Sequence, residues 1–170
     1  LSSVDTIDAL SGKLTTGGRL NTAEALSVDT YRPRVTLVSS SSVTQTDSSS
    51  YPVTVTLRDN HAINLDSIGT DDLRLYSSTG RPLAVTVTKD TVSGEEAHLK
   101  QVVYQVVAPE GGWDSTFNDT YTIHAVGGAV SDNAGNSNQA VALGEFIVEI
   151  SLAGPMDVTE WREMDLDSNQ

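Results

Sequence analysis

Cysteine is absent from the 170 residues, so neither a disulfide framework nor thiol chemistry is available to this chain. Cationic residues are scarce, with ten Lys and Arg against 23 Asp and Glu, and the formal net charge is −13. Nucleic acids and anionic membrane surfaces attract clustered positive charge, so this balance argues against both as partners. No apolar run approaches the roughly 18 residues of a membrane span. A surface of this charge favours cations instead.

Recognisable catalytic motifs are also missing. The chain contains no G-x-S-x-G, no H-E-x-x-H and no glycine-rich phosphate loop. Its three histidines, His61, His98 and His124, have no motif around them, and we expect them to be solvated surface residues. We therefore expect no enzymatic activity from this chain alone and assign no catalytic or cofactor-binding residue.

The texture of the sequence changes twice, near Pro33 and near Pro155. Residues 1–30 carry small residues, Ala and Leu with helix-start signals, residues 31–150 are rich in Thr and Val, and residues 151–170 are acidic. We expect a flank, one domain and a tail, in that order. Because the first residue is Leu1 rather than Met, we expect a processed chain or a fragment.

The middle region alternates apolar and polar residues with a period of two, which is typical of half-buried strands. In "YPVTVTLRD" (51–59), Val53, Val55 and Leu57 share one face, and "PLAVTVTKD" (82–90) repeats the pattern with Leu83, Val85 and Val87. The same test predicts further strands at 34–38, 73–76, 101–107, 121–126 and 143–150.

About seven strands with Gly-, Ser- and Asp-rich connections predict an all-β fold, an immunoglobulin-like antiparallel β-sandwich, with a barrel as the lesser alternative. Tyr121 opens the sixth strand, where it is either a tyrosine corner or an ordinary inward residue. Trp113 in a Gly-rich loop either closes the end of the core or stacks on a sugar. "NDT" at Asn118 fits the N-glycosylation pattern, which is a weak match.

Three loops of such a sandwich meet at one end, namely the connections between strands two and three, four and five, and six and seven. They contain "DNHAINLDSIGTDD" (59–72), "DTVSGEE" (90–96) and "SDNAGN" (131–136). Carboxylates gathered at one end repel unless a cation lies among them, and hard oxygen ligands suit Ca²⁺. The predicted Ca²⁺ ligands are Asp59, Asp66, Asp132, Asn133 and Asn136. The alternative for "DNAGN" is a tight Asn/Gly turn.

Residues 1–26, "LSSVDTIDALSGKLTTGGRLNTAEAL", form a motif outside this strand pattern. Its most distinctive residues are Thr16, Gly17, Gly18, Arg19, Leu20, Asn21, Ala23, Ala25 and Leu26. This stretch resembles the closing segment of the catalytic domain of subtilisin-like serine proteases, which ends in a short helix, here expected over Thr22–Leu26. The family's catalytic triad and G-T-S-M-A-x-P signature match nothing in this chain, so no catalytic residue is carried over.

The resemblance implies that residues 31–150 are a non-catalytic accessory module of a secreted bacterial serine endopeptidase. Such a module would bind, position or stabilise, with the parent catalytic domain and a protein or polysaccharide ligand as partners. The region is also similar to repeats of large secreted bacterial proteins, through "GGWD" and "VSDNAGN". The alternative function is therefore a cell-surface adhesion or matrix repeat. Both imply a secreted or cell-surface location.

The acidic tail contains Val158, Trp161 and Met164 at helical spacing, followed by Asp165, Asp167 and Asn169 at alternate positions. Helix followed by D-x-D-x-N is the front half of an EF-hand, but the glycine of loop position 6 is replaced by Gln170. The tail is therefore either an acidic linker or the start of a further module.

Overall fold

The computed structural model describes residues 4–6, 18–20, 29–87 and 92–151. Near the N-terminus, the backbone of Val4–Thr6 (β1) pairs antiparallel with that of Gly18–Leu20 (β2). The helix expected over Thr22–Leu26 and the EF-hand-like pattern of the acidic tail both lie outside the described residues.

The remaining strands form two sheets in which every neighbouring pair is antiparallel. The first sheet has the order β3 (Arg34–Ser40), β4 (Tyr51–Arg58), β9 (Leu99–Val106) and β7 (Val85–Thr86), and β8 (Val92–Ser93) also pairs with β9. The second sheet has the order β11 (Val141–Val148), β10 (Asp119–Ala125), β5 (Leu73–Ser77) and β6 (Pro82–Leu83). This is the strand order of immunoglobulin-like sandwiches, so the expected fold class is confirmed and the barrel alternative is wrong.

The alternating pattern of β4 shows why these residues form the core. Val53, Val55 and Leu57 are fully buried, whereas Thr54 and Thr56 on the other face are only partly covered. Burying a side chain of this size contributes roughly 1.5–3 kcal/mol to folding before the entropy cost. The inward faces of both sheets supply the rest of one continuous core.

The fourth predicted strand differs from the structure. Instead of one strand across residues 83–88, Pro82–Leu83 pairs with β5 in one sheet and Val85–Thr86 pairs with β9 in the other. The chain therefore crosses between the sheets at Ala84. The alternation of Leu83 and Val85 predicted that these side chains face the core, but alternation cannot indicate which sheet supplies the backbone hydrogen bonds.

Trp113 closes one end of the core. Its side chain is fully buried. The centroid of its ring lies 6.1 Å from the ring centroids of Tyr51 and Phe117 and 6.2 Å from the ring centroid of Phe146. Its Nε1 donates a hydrogen bond of 2.8 Å to the carbonyl of Ser49, which satisfies the polar atom of the indole. The interpretation of Trp113 as the residue closing the core is confirmed, and sugar stacking is wrong because no face of the ring reaches solvent.

Tyr121 is also fully buried, and its hydroxyl donates to the carbonyl of Phe117, four residues upstream, at 3.1 Å. A buried tyrosine near the start of this strand, bonded back to the preceding main chain, is a tyrosine corner. Of the two interpretations of Tyr121, the tyrosine corner is therefore confirmed.

Replacing Tyr121 by Phe removes this hydrogen bond and keeps the buried ring. We expect the free energy of unfolding to fall by about 0.5–1.5 kcal/mol, measured by urea denaturation, because the carbonyl of Phe117 loses its partner. The matched control is Tyr76→Phe, at a residue that is 41 % exposed, where a change within about 0.5 kcal/mol is expected. Equal losses in the two variants would contradict the assignment.

Candidate metal centre

The loops that follow β4, precede β9 and follow β10 meet at the end of the sandwich opposite Trp113. Ile63 forms a bridge with Asp132, and its N–H donates to the carbonyl of Ala97 at 2.9 Å. The N–H of Asn133 donates to the carbonyl of Ala62 at 2.9 Å. The prediction that these three loops are neighbours is confirmed.

The chain reaches β3 through residues 29–33, here called the lead-in segment. Asp29 begins it, and the side chain of Asp29 is only 2 % exposed. Its Oδ1 accepts hydrogen bonds from the N–H of Tyr31 and from Nδ2 of Asn60, both at 3.0 Å. Its main-chain carbonyl accepts from Nδ2 of Asn136 at 3.2 Å. One residue of the lead-in segment therefore contacts both the loop after β4 and the loop after β10.

Asp29, Asp59 and His61 form a compact group, here called the Asp29 cluster. One ligand atom from each residue lies within 4.8 Å of the others. Asp59 is 8 % exposed, and its Oδ1 accepts from the N–H of His61 at 2.9 Å. Nδ1 of His61 lies 3.1 Å from Oδ2 of Asp29, and the His61 side chain is 53 % exposed.

Two oxygen atoms of the Asp29 cluster lack hydrogen bonds. Oδ2 of Asp29 and Oδ2 of Asp59 are both buried and have no hydrogen-bond partner. The approach of His61 to Asp29 is close enough for an ion pair, but its angles are not those of a hydrogen bond. Buried polar atoms are rarely left without a partner, so these two oxygens are the candidate ligand atoms of the Asp29 cluster.

Of the five residues predicted as Ca²⁺ ligands, Asp59 alone belongs to the Asp29 cluster. Asp66 is exposed in the 3-10 turn Leu65–Ser67, where its N–H donates to Oδ1 of Asn64. Asn133 is exposed. It stays a prediction that one Ca²⁺ is shared by all five residues, namely Asp59, Asp66, Asp132, Asn133 and Asn136.

Asp132 and Asn136 are hydrogen-bonded to each other within a turn. Oδ1 of Asp132 accepts from the N–H of Asn136 at 2.8 Å, and its Oδ2 accepts from Nδ2 of the same residue at 2.9 Å. Gly135 has a φ of +91°, a backbone conformation that favours glycine. The interpretation of "DNAGN" as a tight turn is thus confirmed.

The carboxyl of Asp132 stays ionised in this turn. Burial opposes ionisation, but the hydrogen bonds from the side chain and the main chain of Asn136 outweigh it, so the pKa of Asp132 lies below its usual value. This negative charge adds to the acidity of the loop end.

The histidines were all predicted to be solvated. His98 is largely exposed and lies 3.1 Å from Glu96, and His124 is half-buried on β10. For His61 the prediction missed the contact with Asp29, and Asp29 itself was assigned to the flank. One signal was available: β3 and β4 are antiparallel with Arg34 opposite Arg58, so residues just before β3 must lie near residues just after β4.

Two comparisons with known proteins found nothing: no known protein family and no curated protein matches this chain. Among solved structures, the N-terminal part of the bacterial S-layer protein SbsC is similar, with a TM-score of 0.38 and 18 % sequence identity. The match covers 84 % of this chain and 29 % of that one, so this chain spans under a third of its neighbour. Such a remote likeness carries no argument about function.

Within the described ranges, no helix has the length and apolar character required to cross a membrane.

Asp72, another carboxylate of the loop after β4, has a structural environment of its own. It is buried, and its Oδ2 accepts from the hydroxyl of Tyr104 at 2.6 Å and from the N–H of Gly69 at 2.9 Å. Burial raises the pKa of Asp72 above its usual value, and these hydrogen bonds offset only part of the rise. The protonated form is therefore favoured by folding. The stability that this protonation contributes is fully present below the usual pKa of Asp. It is lost as the pH rises through the raised pKa of Asp72 in the folded state.

Replacing Tyr104 by Phe removes a hydrogen bond to Asp72 and should raise its pKa further. We expect a loss of about 1–3 kcal/mol in the free energy of unfolding at neutral pH, and a smaller loss near pH 4, because a protonated Asp72 depends less on this hydrogen bond than the carboxylate does. Urea denaturation at both pH values measures this. In an Asp72→Asn background the pH dependence of the loss should disappear. In the otherwise unaltered chain, a loss on Tyr104→Phe that is the same at both pH values would refute the role of Asp72.

Proposed function

We propose that the sandwich is a non-catalytic immunoglobulin-like module that positions the segment ahead of it, in a secreted subtilisin-like serine endopeptidase. The burial of Asp29 carries this proposal. A module can fix the orientation of a neighbour only if the connecting chain is itself held. Asp29 is hydrogen-bonded to Asn60 in the loop after β4 and to Asn136 in the loop after β10.

The resemblance of residues 1–26 to the end of a subtilase catalytic domain supports the identity of the parent. This stretch lies just ahead of the lead-in segment, so the distance between a catalytic domain and the sandwich would be only a few residues. At a rise of roughly 3.3 Å per extended residue, so short a connection leaves little freedom once Asp29 is held. Catalysis would stay upstream, and the sandwich would set the direction in which the catalytic domain faces.

The positioning role is tested by proteolysis of the lead-in segment. Tyr31 is 71 % exposed, so its peptide bond to Arg32 is a chymotrypsin site that is protected only while the lead-in segment is held. We expect Asp29→Ala to speed cleavage after Tyr31 by about tenfold or more, since hydrogen bonds to a charged group contribute roughly 1.5–3 kcal/mol. Mass spectrometry of the fragments measures cleavage at this bond specifically.

The control for this experiment is Asp71→Ala, which removes an exposed carboxylate of the loop after β4 that pairs with Arg74 at 2.8 Å. It should leave the cleavage rate after Tyr31 unchanged. If Asp29→Ala does not accelerate cleavage beyond this control, the lead-in segment is not held by Asp29 and the positioning role fails.

The identity of the parent is tested separately. The coding sequence ahead of Leu1 should contain the Asp, His and Ser triad and the G-T-S-M-A-x-P signature, and the purified chain should not hydrolyse casein. A coding sequence without the triad would replace the protease assignment with the alternative, a cell-surface adhesion or matrix repeat. Turnover of casein by the purified chain would show that the sandwich is itself a hydrolase.

A further inference from the structure

The first observation is the charge around the two carboxylates of the Asp29 cluster. Among the described residues, no lysine or arginine nitrogen lies within 4.0 Å of the carboxylates of Asp29 or Asp59. In the part of the chain that the structure describes, the imidazole of His61 is the neighbouring group that could carry a positive charge, and its Nδ1 is also 3.1 Å from Nδ2 of Asn60. Two carboxylates held this close repel each other unless a cation or a proton lies between them.

The two unpartnered oxygens are the second observation. Asp59 is more than nine-tenths buried, and so is the side chain of Asp29, yet Oδ2 of each has no hydrogen-bond partner. The other oxygen of each carboxylate is already used, Oδ1 of Asp29 by Tyr31 and Asn60 and Oδ1 of Asp59 by His61. Each side chain is therefore held through Oδ1, which leaves its Oδ2 as the oxygen available to a further partner.

We infer that the Asp29 cluster is a divalent cation site, with Oδ2 of Asp29, Oδ2 of Asp59 and the imidazole of His61 as ligands. Metal bonds to such ligands are about 2.0–2.6 Å long, so two ligands of one ion lie up to about 5 Å apart, and the 4.8 Å limit of the cluster fits this. The half-exposed face of His61 leaves room for water to complete the coordination.

This site deepens the proposed positioning role, on which its function rests, by naming the ligand that would hold the lead-in segment. Asp29 belongs to that segment and Asp59 and His61 to the loop after β4, so one ion would join the two parts of the chain. Binding by carboxylates alone is typical of Ca²⁺ and Mn²⁺, and participation of an imidazole is typical of Zn²⁺. The replacement of His61 separates these classes.

Isothermal titration of the chelator-treated full chain with CaCl₂, MnCl₂ and ZnCl₂ tests the site. We expect at least one ion to bind, and Asp29→Asn and Asp59→Asn each to weaken that binding by tenfold or more. The matched control Asp71→Asn should bind as the unaltered chain does. A similar loss in His61→Ala assigns Zn²⁺, whereas a smaller loss assigns Ca²⁺ or Mn²⁺ held by the carboxylates; both results support the site.

A measurement on the unaltered chain does not depend on the folding of any variant. In an NMR titration, paramagnetic Mn²⁺ should broaden the amide signals of Tyr31, Asn60 and His61 before those of other acidic loops. Broadening that begins at Glu95 and Glu96 instead, or no binding of any of the three ions, would overturn the inference. In that case, faster cleavage after Tyr31 in Asp29→Ala than in the control would still support the positioning role. Conversely, binding of an ion without this difference in cleavage would support the site alone.

Discussion

A buried carboxylate requires hydrogen-bond donors, and the hydrogen bonds of Asp29 determine the arrangement of one end of this sandwich. Its side chain takes hydrogen bonds from its own lead-in segment and from Asn60, while its carbonyl takes one from Asn136. Because burying a charged group is costly unless it is hydrogen-bonded, the contacts of Asp29 hold together or are lost together. The loops after β4 and β10 are thereby joined to the point where the chain enters β3.

Different interactions close the two ends of the sandwich, aromatic packing at one end and polar contacts at the other. At the end where β4 begins, Trp113 packs against Tyr51, Phe117 and Phe146, and the tyrosine corner of Tyr121 adds a hydrogen bond to the main chain of Phe117. That end is closed by packed aromatic rings. The opposite end is built from carboxylates, amides and the imidazoles of His61 and His98, and it lies where the chain enters β3 from the lead-in segment.

Much of the fold could be predicted because its signals are local. The alternation of Val53, Val55 and Leu57 assigns the buried face of β4 from the sequence alone, and strand order then places the loops at one end. The split of the fourth strand at Ala84 could not be predicted, since pairing depends on which sheet edge is nearer. Of the candidate site, Asp59 was predicted, whereas Asp29 and His61 were missed because their roles arise from a contact between residues 32 positions apart in the chain.

The central claim is that the lead-in segment is a fixed part of the sandwich, and amide hydrogen exchange tests it most directly. The N–H groups of Tyr31, His61 and Asn136 each donate to the carboxylate of a nearby aspartate, on three separate segments of this end. The account predicts that all three amides are protected and open with similar free energies, as one cooperative unit. Exchange of the Tyr31 amide at the rate of an unstructured peptide, while those of His61 and Asn136 remain protected, would contradict it.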